Sequence, residues 1–300
     1  MPSFSPSDLT GILPPMVTPF DAVNEEIDEA SLRQDLRYMI EVGKVHGIVV
    51  GGSTGEGHTL TTEELRHLVR ITVDEVSGDL PVVAGIIVDS TRQAIERVRA
   101  LADLDVAALQ VTPVHYLFRP SDELMQQHFA AIADASDVPL FIYNVVPWSY
   151  LSPSLLTKII TEVDGVMGVK QSAQDLRSLA DLLLLLDGRG VVFSALDGLM
   201  YPSFVLKPAG IIAGILSTAP NLCVQLWDAV KADDHTTALE LHNKLLRIWM
   251  AIEGRNMCAK IKTSLELQGR AKSVSRMPMT PTSEQEKEAI RDALASAGLI

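Results

Sequence analysis

Short apolar runs recur along the chain, separated by amphipathic or polar segments. The runs are 12–17 (ILPPMV), 47–52 (GIVVGG), 81–86 (PVVAGI), 106–111 (VAALQV), 139–145 (PLFIYNV), 166–171 (VMGVKQ), 191–196 (VVFSAL) and 210–216 (GIIAGIL). Most are continuous rather than alternating, the pattern of strands buried on both faces. The intervening segments carry helix signals. Thr61 and Glu64 spell a capping box, a hydroxyl at the N-cap with a carboxylate three residues on. Ser152 precedes Pro153, a capping hydroxyl before proline at the first helical position. In 91–104, Ile95, Val98, Leu101 and Ala102 follow the helical period. Eight strand–helix alternations predict an α/β fold, parallel strands closed into a (β/α)8 (TIM) barrel over residues 1–234. From about residue 235 no strand-like run occurs. Segments 239–254 and 256–269 read as helices, and Ser283 with Glu286 opens a last one with another capping box. Residues 235–300 are therefore expected to form a C-terminal helical extension packed on the barrel.

Composition narrows the function. A chain of 300 residues that is 47% hydrophobic has ample material for a large core. A net charge of −13 gives no electrostatic reason to hold nucleic acid or an anionic membrane. Cys223 and Cys258 form no CxxC, so neither a disulfide framework nor a zinc site is expected. The N-terminus lacks a basic region followed by an apolar stretch, and the leucine run 182–186 is too short to span a bilayer. A soluble cytoplasmic protein is the expectation.

Candidate chemistry starts at GVMGVKQSAQ (165–174), where an apolar strand ends on Lys170. Lysine is seldom fully buried unless it pairs with a carboxylate or snorkels to water. None of the other nine lysines follows an apolar run in this way. Barrel enzymes keep their chemistry at the C-terminal strand ends, and a lysine there suits Schiff-base formation with a carbonyl. The attacking amine must be neutral. For an ordinary lysine only about one amine in a few thousand is neutral at pH 7, and apolar surroundings enlarge that share.

The second run ends in VVGGSTGEGHTL, where Gly52, Ser53 and Thr54 can aim backbone N–H groups and hydroxyls at an anion. The spacing is neither GxGxxG nor GxxxxGK[ST], so a nucleotide phosphate is not expected. Taken alone, the segment reads equally well as a glycine turn before a helix. Paired with a lysine four strands later, it reads as a carboxylate site. A 2-oxo acid presents a carbonyl to the lysine and a carboxylate to the loop. Tyr143 ends the fifth run, at the level of Lys170 if the strands align. A buried phenol needs a hydrogen-bond partner and can shuttle a proton; the plainer reading is a core tyrosine with its hydroxyl at the rim.

GGSTGE (51–56), YNV (143–145) and GVKQS (168–172), with VTPF (17–20) and VTP (111–113), together resemble the dihydrodipicolinate synthase / N-acetylneuraminate lyase family over about residues 10–270. The resemblance implies a (β/α)8 barrel with a helical extension, usually a homotetramer or dimer of dimers, and Schiff-base chemistry with no cofactor and no metal. It implies that Lys170 forms an imine with pyruvate or another 2-oxo acid, that Tyr143 relays protons with Thr54 in the catalytic set, and that Gly52, Ser53 and Thr54 hold the carboxylate. Ile212 in the eighth run and Asp197 after the seventh are placed with the substrate-binding residues. The protonated imine is an electron sink, so a carbon–carbon bond β to it can break or form.

Departures from the family pattern bear on the second substrate. Members that make dihydrodipicolinate carry an arginine shortly after YNVP, which grips a carboxylate. Here the segment is YNVVPWSYLSP, with Trp148 near that position and no arginine. Sialic acid lyases carry an acidic pair after strand seven; here Asp197 is followed by Gly198, and Ala195 stands near the family's glycine. The synthases' tyrosine pair after Thr-Pro is replaced by TPVHYLFRP, so Tyr116 or His115 takes the relay position. Trp148, Tyr150, His115, Tyr116, Leu117 and Phe118 are expected either to line a less polar pocket for an aromatic aldehyde or to pack at a subunit contact. Three other readings remain open at this point. One is a 2-oxo acid dehydratase acting on a sugar-derived acid. Another is a metal-dependent barrel hydrolase, poorly supported because the seven histidines form neither HxH nor HExxH. The third is a non-catalytic metabolite-binding barrel.

Overall fold

A computed structural model describes residue 4, residues 8–173 and residues 175–300. The strands are β1 (Gly11–Ile12), β2 (Ile48–Val50), β3 (Val82–Ile86), β4 (Ala108–Val111), β5 (Leu140–Asn144), β6 (Val166–Gln171), β7 (Val191–Ser194) and β8 (Gly210–Ile211). They pair in parallel in the order β1-β8-β7-β6-β5-β4-β3-β2. A bridge between Pro15 and Val49 joins the two ends, with Met16 N–H donating to the Val49 carbonyl and Val49 N–H to the Pro14 carbonyl. The barrel is thus closed.

Helices follow the strands: α1 (Glu29–Tyr38), α2 (Thr62–Val76), α3 (Thr91–Ala100), α4 (Asp122–Ala133), α5 (Pro153–Glu162), α6 (Leu176–Leu186), α7 (Met200–Val205), α8 (Ile215–Thr218) and α9 (Pro220–Lys231). Then come α10 (His235–Ile252), α11 (Met257–Leu267) and α12 (Glu284–Ala297). The Thr61 and Ser283 capping boxes are both formed, and the Ser152 hydroxyl caps α5 ahead of Pro153.

Three expected boundaries shift. The first run, 12–17, is laddered only over Gly11–Ile12, because Pro14 and Pro15 carry no N–H to donate. The eighth, 210–216, ends at Ile211, and its last residues turn into α8; a short apolar run does not reveal by periodicity whether it is strand or buried helix. The helix expected over 91–104 stops at Ala100.

Strand alternation sorts the core into two clusters. Inside the barrel, Leu13, Val49, Val83, Ala108, Phe141, Phe193 and Ile212 pack together, with Phe141 and Phe193 edge to face at 5.3 Å between ring centroids. Outside, alternate strand residues meet the helices, and Ile248, Ile261 and Leu294 from α10, α11 and α12 join that same cluster. Among the described residues no helix is long and apolar enough to cross a membrane.

Candidate active site

Lys170 and Tyr143 are register partners on the adjacent strands β6 and β5, one step before the strand ends. Both point into the barrel, so the Lys170 amine lies over the Tyr143 ring, 4.1 Å from its centroid. Only 4% of Lys170 is exposed. Among the described residues its amine makes no hydrogen bond and no ion pair. The Tyr143 hydroxyl donates to Ser53 Oγ at 3.1 Å. Three strand ends, β2, β5 and β6, thus meet in one cluster.

The next register pair locks this geometry. Asn144 lies opposite Gln171; its amide donates to Gln171 Oε1 at 2.8 Å and to the Leu151 carbonyl at 3.1 Å, while its oxygen accepts from Leu151 N–H at 2.9 Å. Every amide position of Asn144 is used against neighbours that are themselves buried, which fixes the two strand ends side by side.

The glycine loop has its own supports. Gly51 has φ +67, and a Cβ on Gly57 would lie 1.9 Å from the Gly51 carbonyl, so the loop folds too tightly for side chains at these points. Thr18 Oγ1 donates to the Gly55 carbonyl at 2.6 Å. Glu56 takes a left-handed conformation, φ 54, which is disfavoured without glycine. Its carboxylate is fully buried and meets Lys262 of α11 at 2.5 Å, and it also accepts from Arg276 N–H at 3.1 Å. Burial pulls the Lys262 amine below its ordinary range, and the Glu56 charge opposes this. Cys258, one turn earlier on α11, approaches the Ser53 carbonyl with its sulfur at 3.4 Å. The helical extension therefore holds the loop from behind.

The remaining sequence-derived residues divide. Thr54 is buried within the loop, Gly52 precedes Ser53, and Ile212 lies in the inner cluster on the first residue past β8. Asp197, half-buried after β7, accepts from Ile215 N–H at 2.8 Å. Burial pushes its carboxyl up to about 6, offset in part by that N–H and by the charge of Lys170. Tyr116 and Trp148 are 67% and 68% exposed in this chain. The Trp148 indole N–H donates to the His115 and Tyr116 carbonyls at 2.6 and 3.0 Å, so it pins the loop after β4. His115 is held by Asp89, through a backbone bond at 3.0 Å and a ring contact at 3.3 Å. Neither residue hydrogen-bonds Tyr143. Tyr150 does return toward the site, its hydroxyl donating to the Ser172 carbonyl at 3.2 Å. No group of three or more His, Cys, Asp or Glu side chains able to hold a metal occurs among the described residues.

Sequence reasoning missed Asn144 with Gln171, and Glu56 with Lys262. Asn144 and Gln171 were visible as polar residues closing apolar runs. The Glu56 partner, 206 residues away, left no local trace.

The state of Asp197 makes a prediction. A carboxyl raised from 3.8 to about 6 by folding binds its proton more tightly in the native chain, so its ionisation subtracts stability as pH rises from about 4 to about 6, and the deficit is complete above that. Asp197→Asn keeps an acceptor for Ile215 N–H and removes the charge. Its melting temperature should exceed that of the unsubstituted chain by a few degrees at pH 8 and match it at pH 4, by calorimetry at both values.

Comparison with known proteins adds the lineage of this site. A profile described as the dihydrodipicolinate synthetase family matches residues 8–297. The 4-hydroxy-tetrahydrodipicolinate synthase of Methanopyrus kandleri is 33% identical over 294 residues, 97% of each chain. The chloride-inhibited dihydrodipicolinate synthase of Acinetobacter baumannii, solved in complex with pyruvate, superposes with a TM-score of 0.90 at 29% identity, covering 97% of this chain and all of that one. CdNal of Clostridium difficile, solved with mannosamine, gives a TM-score of 0.89 at 26% identity over 96% of this chain and 99% of that one.

Proposed function

The chain belongs to the dihydrodipicolinate synthetase family and is a carbon–carbon lyase, and from that premise we propose that Lys170 condenses with a 2-oxo acid, pyruvate first, to make or break a bond to an aldehyde that offers no carboxylate to an arginine. The observation that carries this reading is the Lys170 amine stacked over a tyrosine whose hydroxyl reaches Ser53. The pyruvate complex of the Acinetobacter relative supports the choice of 2-oxo acid.

In the proposed sequence the amine attacks the C2 carbonyl and gives a carbinolamine. Tyr143 delivers a proton to the departing oxygen, which leaves as water, and the imine remains protonated. The C4 hydroxyl then gives its proton to the Tyr143 phenolate as the C3–C4 bond breaks; the electron pair moves into the enamine and C4 departs as the aldehyde. Tyr143 then returns the proton to C3, and water hydrolyses the imine, releasing the shortened 2-oxo acid and the Lys170 amine. Addition runs the same steps in reverse. Ser53, Thr54 and the N–H groups after Gly52 hold the substrate carboxylate, and Ile212 supplies an apolar wall. Lys170, Tyr143 and Thr54 form the catalytic set. No cofactor is required, because the imine itself accepts the electrons.

The aldehyde preference follows from the turn after β5. It carries Trp148 and Tyr150 and no arginine, so a second carboxylate lacks a bidentate partner there. We place Tyr116, Leu117, Phe118 and Trp148, all exposed in the single chain, at a contact between subunits of a homotetramer. In that assembly the same residues edge the pocket for an aromatic or other weakly polar aldehyde. A screen of aromatic and sugar-derived 2-oxo acids tests the preference; turnover on sugar acids alone would sink it.

The condensation itself is tested by incubation with pyruvate, borohydride reduction and peptide mass spectrometry. A reduced pyruvate adduct on Lys170 supports the proposal, and an unlabelled Lys170 in the folded chain defeats it. Tyr143→Phe should lower kcat by about 10²- to 10⁴-fold, the span for a lost proton-transfer group. Trapping on Lys170 should persist, more slowly, because the nucleophile is intact.

A further inference from the structure

The signal that singles out Lys170, a polar residue set in an apolar strand, appears again at Gln110 in VAALQV. Leu109 and Val111 lie in the outer cluster and Ala108 in the inner one, so strand alternation turns Gln110 into the barrel. Its side chain is fully buried. Its register partner on β3 is Gly85, which brings no side chain to fill the space beside it. The amide nitrogen lies 3.6 Å from the point where a Gly52 side chain would begin. Gly52 immediately precedes Ser53 and Thr54, so the amide lies against the base of the glycine loop, on the barrel side. Neither its nitrogen nor its oxygen has a hydrogen-bond partner among the described residues, and no other buried side chain there leaves two polar atoms unpaired.

An unpaired buried amide is costly, and an apolar residue of similar volume would avoid that cost. The position therefore makes sense as a site completed by a ligand. We infer that Gln110 is a substrate-binding residue: its amide N–H donates to the carboxylate of the 2-oxo acid from inside the barrel, while Ser53 and Thr54 hold that carboxylate from the loop. The water shed on imine formation supplies a donor for the amide oxygen. This inference rests on the condensation of Lys170 with a 2-oxo acid.

The test is borohydride trapping as a function of 2-oxo acid concentration, with melting temperature measured alongside. In Gln110→Leu the concentration for half-maximal trapping should rise about tenfold, the size of one hydrogen bond to a charged group. The rise should be the same for pyruvate and 2-oxobutyrate, because both present the same carboxylate. The adduct should stay on Lys170, and the melting temperature should hold or rise. Gln110→Met should behave alike, which guards against a leucine that packs badly. A lowered melting temperature with unchanged half-saturation in both variants would assign the amide to the fold and overturn the inference. A penalty confined to 2-oxobutyrate would place the amide at C3 rather than the carboxylate and overturn it too. Absence of trapping in the unsubstituted chain removes the condensation and this inference together, whereas normal trapping in all three proteins removes this one alone.

Discussion

Lys170→Ala should lower turnover by about 10⁴-fold or more, the loss typical of removing a covalent nucleophile, and should abolish borohydride trapping. Lys170→Arg should fare no better, since a guanidinium stays protonated and cannot attack a carbonyl. A second effect runs the other way. The Lys170 side chain is buried, and its amine has no hydrogen bond or ion pair among the described residues. The Tyr143 ring and the Asp197 charge are its only compensation among them, contacts weaker than a hydrogen-bonded ion pair. Lys170→Met, which keeps the length and apolar body of the side chain, should therefore raise stability by about 1–3 kcal/mol while eliminating turnover. Chemical denaturation of the two proteins measures the first effect and a lyase assay the second. A methionine variant less stable than the parent would mean the lysine serves the fold. Turnover above about one percent in the alanine variant would put the nucleophile elsewhere.

Lys262→Met should produce the largest loss of stability. It strands the Glu56 carboxylate, fully buried and held in a left-handed conformation, with the Arg276 N–H as its remaining donor. Breaking one side of a buried ion pair costs about 3–5 kcal/mol. Glu56→Gln combined with Lys262→Met should recover a large part of that loss, because no unpaired charge remains. Urea denaturation of the single and double variants gives the coupling directly. The single variant should also need more 2-oxo acid for half-saturation, since Ser53 and Thr54 adjoin Glu56. A single variant as stable as the parent would mean that the pair adds nothing to the loop.

The strand count and the fold class were legible because buried parallel strands print as continuous apolar runs, and closure into a barrel needs only their number and alternation. The capping boxes at Thr61 and Ser283 were legible because a cap is a contact between residues three apart. Lys170 and Tyr143 were legible because a polar group at the end of an apolar run is an anomaly that packing alone does not explain. The same anomaly marks Gln110, and the reading along the chain passed over it because an amide carries no charge to attract notice. Strand one was misjudged in extent because two prolines look apolar while lacking the N–H that a ladder needs. Trp148 and Tyr116 sit where the sequence put them in the loops, yet their side chains face solvent in the single chain. Sequence spacing fixes which loop a residue occupies, not which way the loop turns.

The hold that α11 keeps on the glycine loop also orders events in time. Glu56 is made early in synthesis and Lys262 follows 206 residues later. All eight strands, Lys170 and Tyr143 precede α11 in the chain. A nascent chain released before α11 would carry Lys170 and Tyr143, the groups proposed to react, and still bear an uncompensated Glu56 carboxylate beneath the glycine loop. The proposed condensation thus waits on α11, and a premature stop codon between Lys231 and Lys262 leaves all eight strands with Lys170 and Tyr143 in place and Glu56 unpaired beneath the glycine loop.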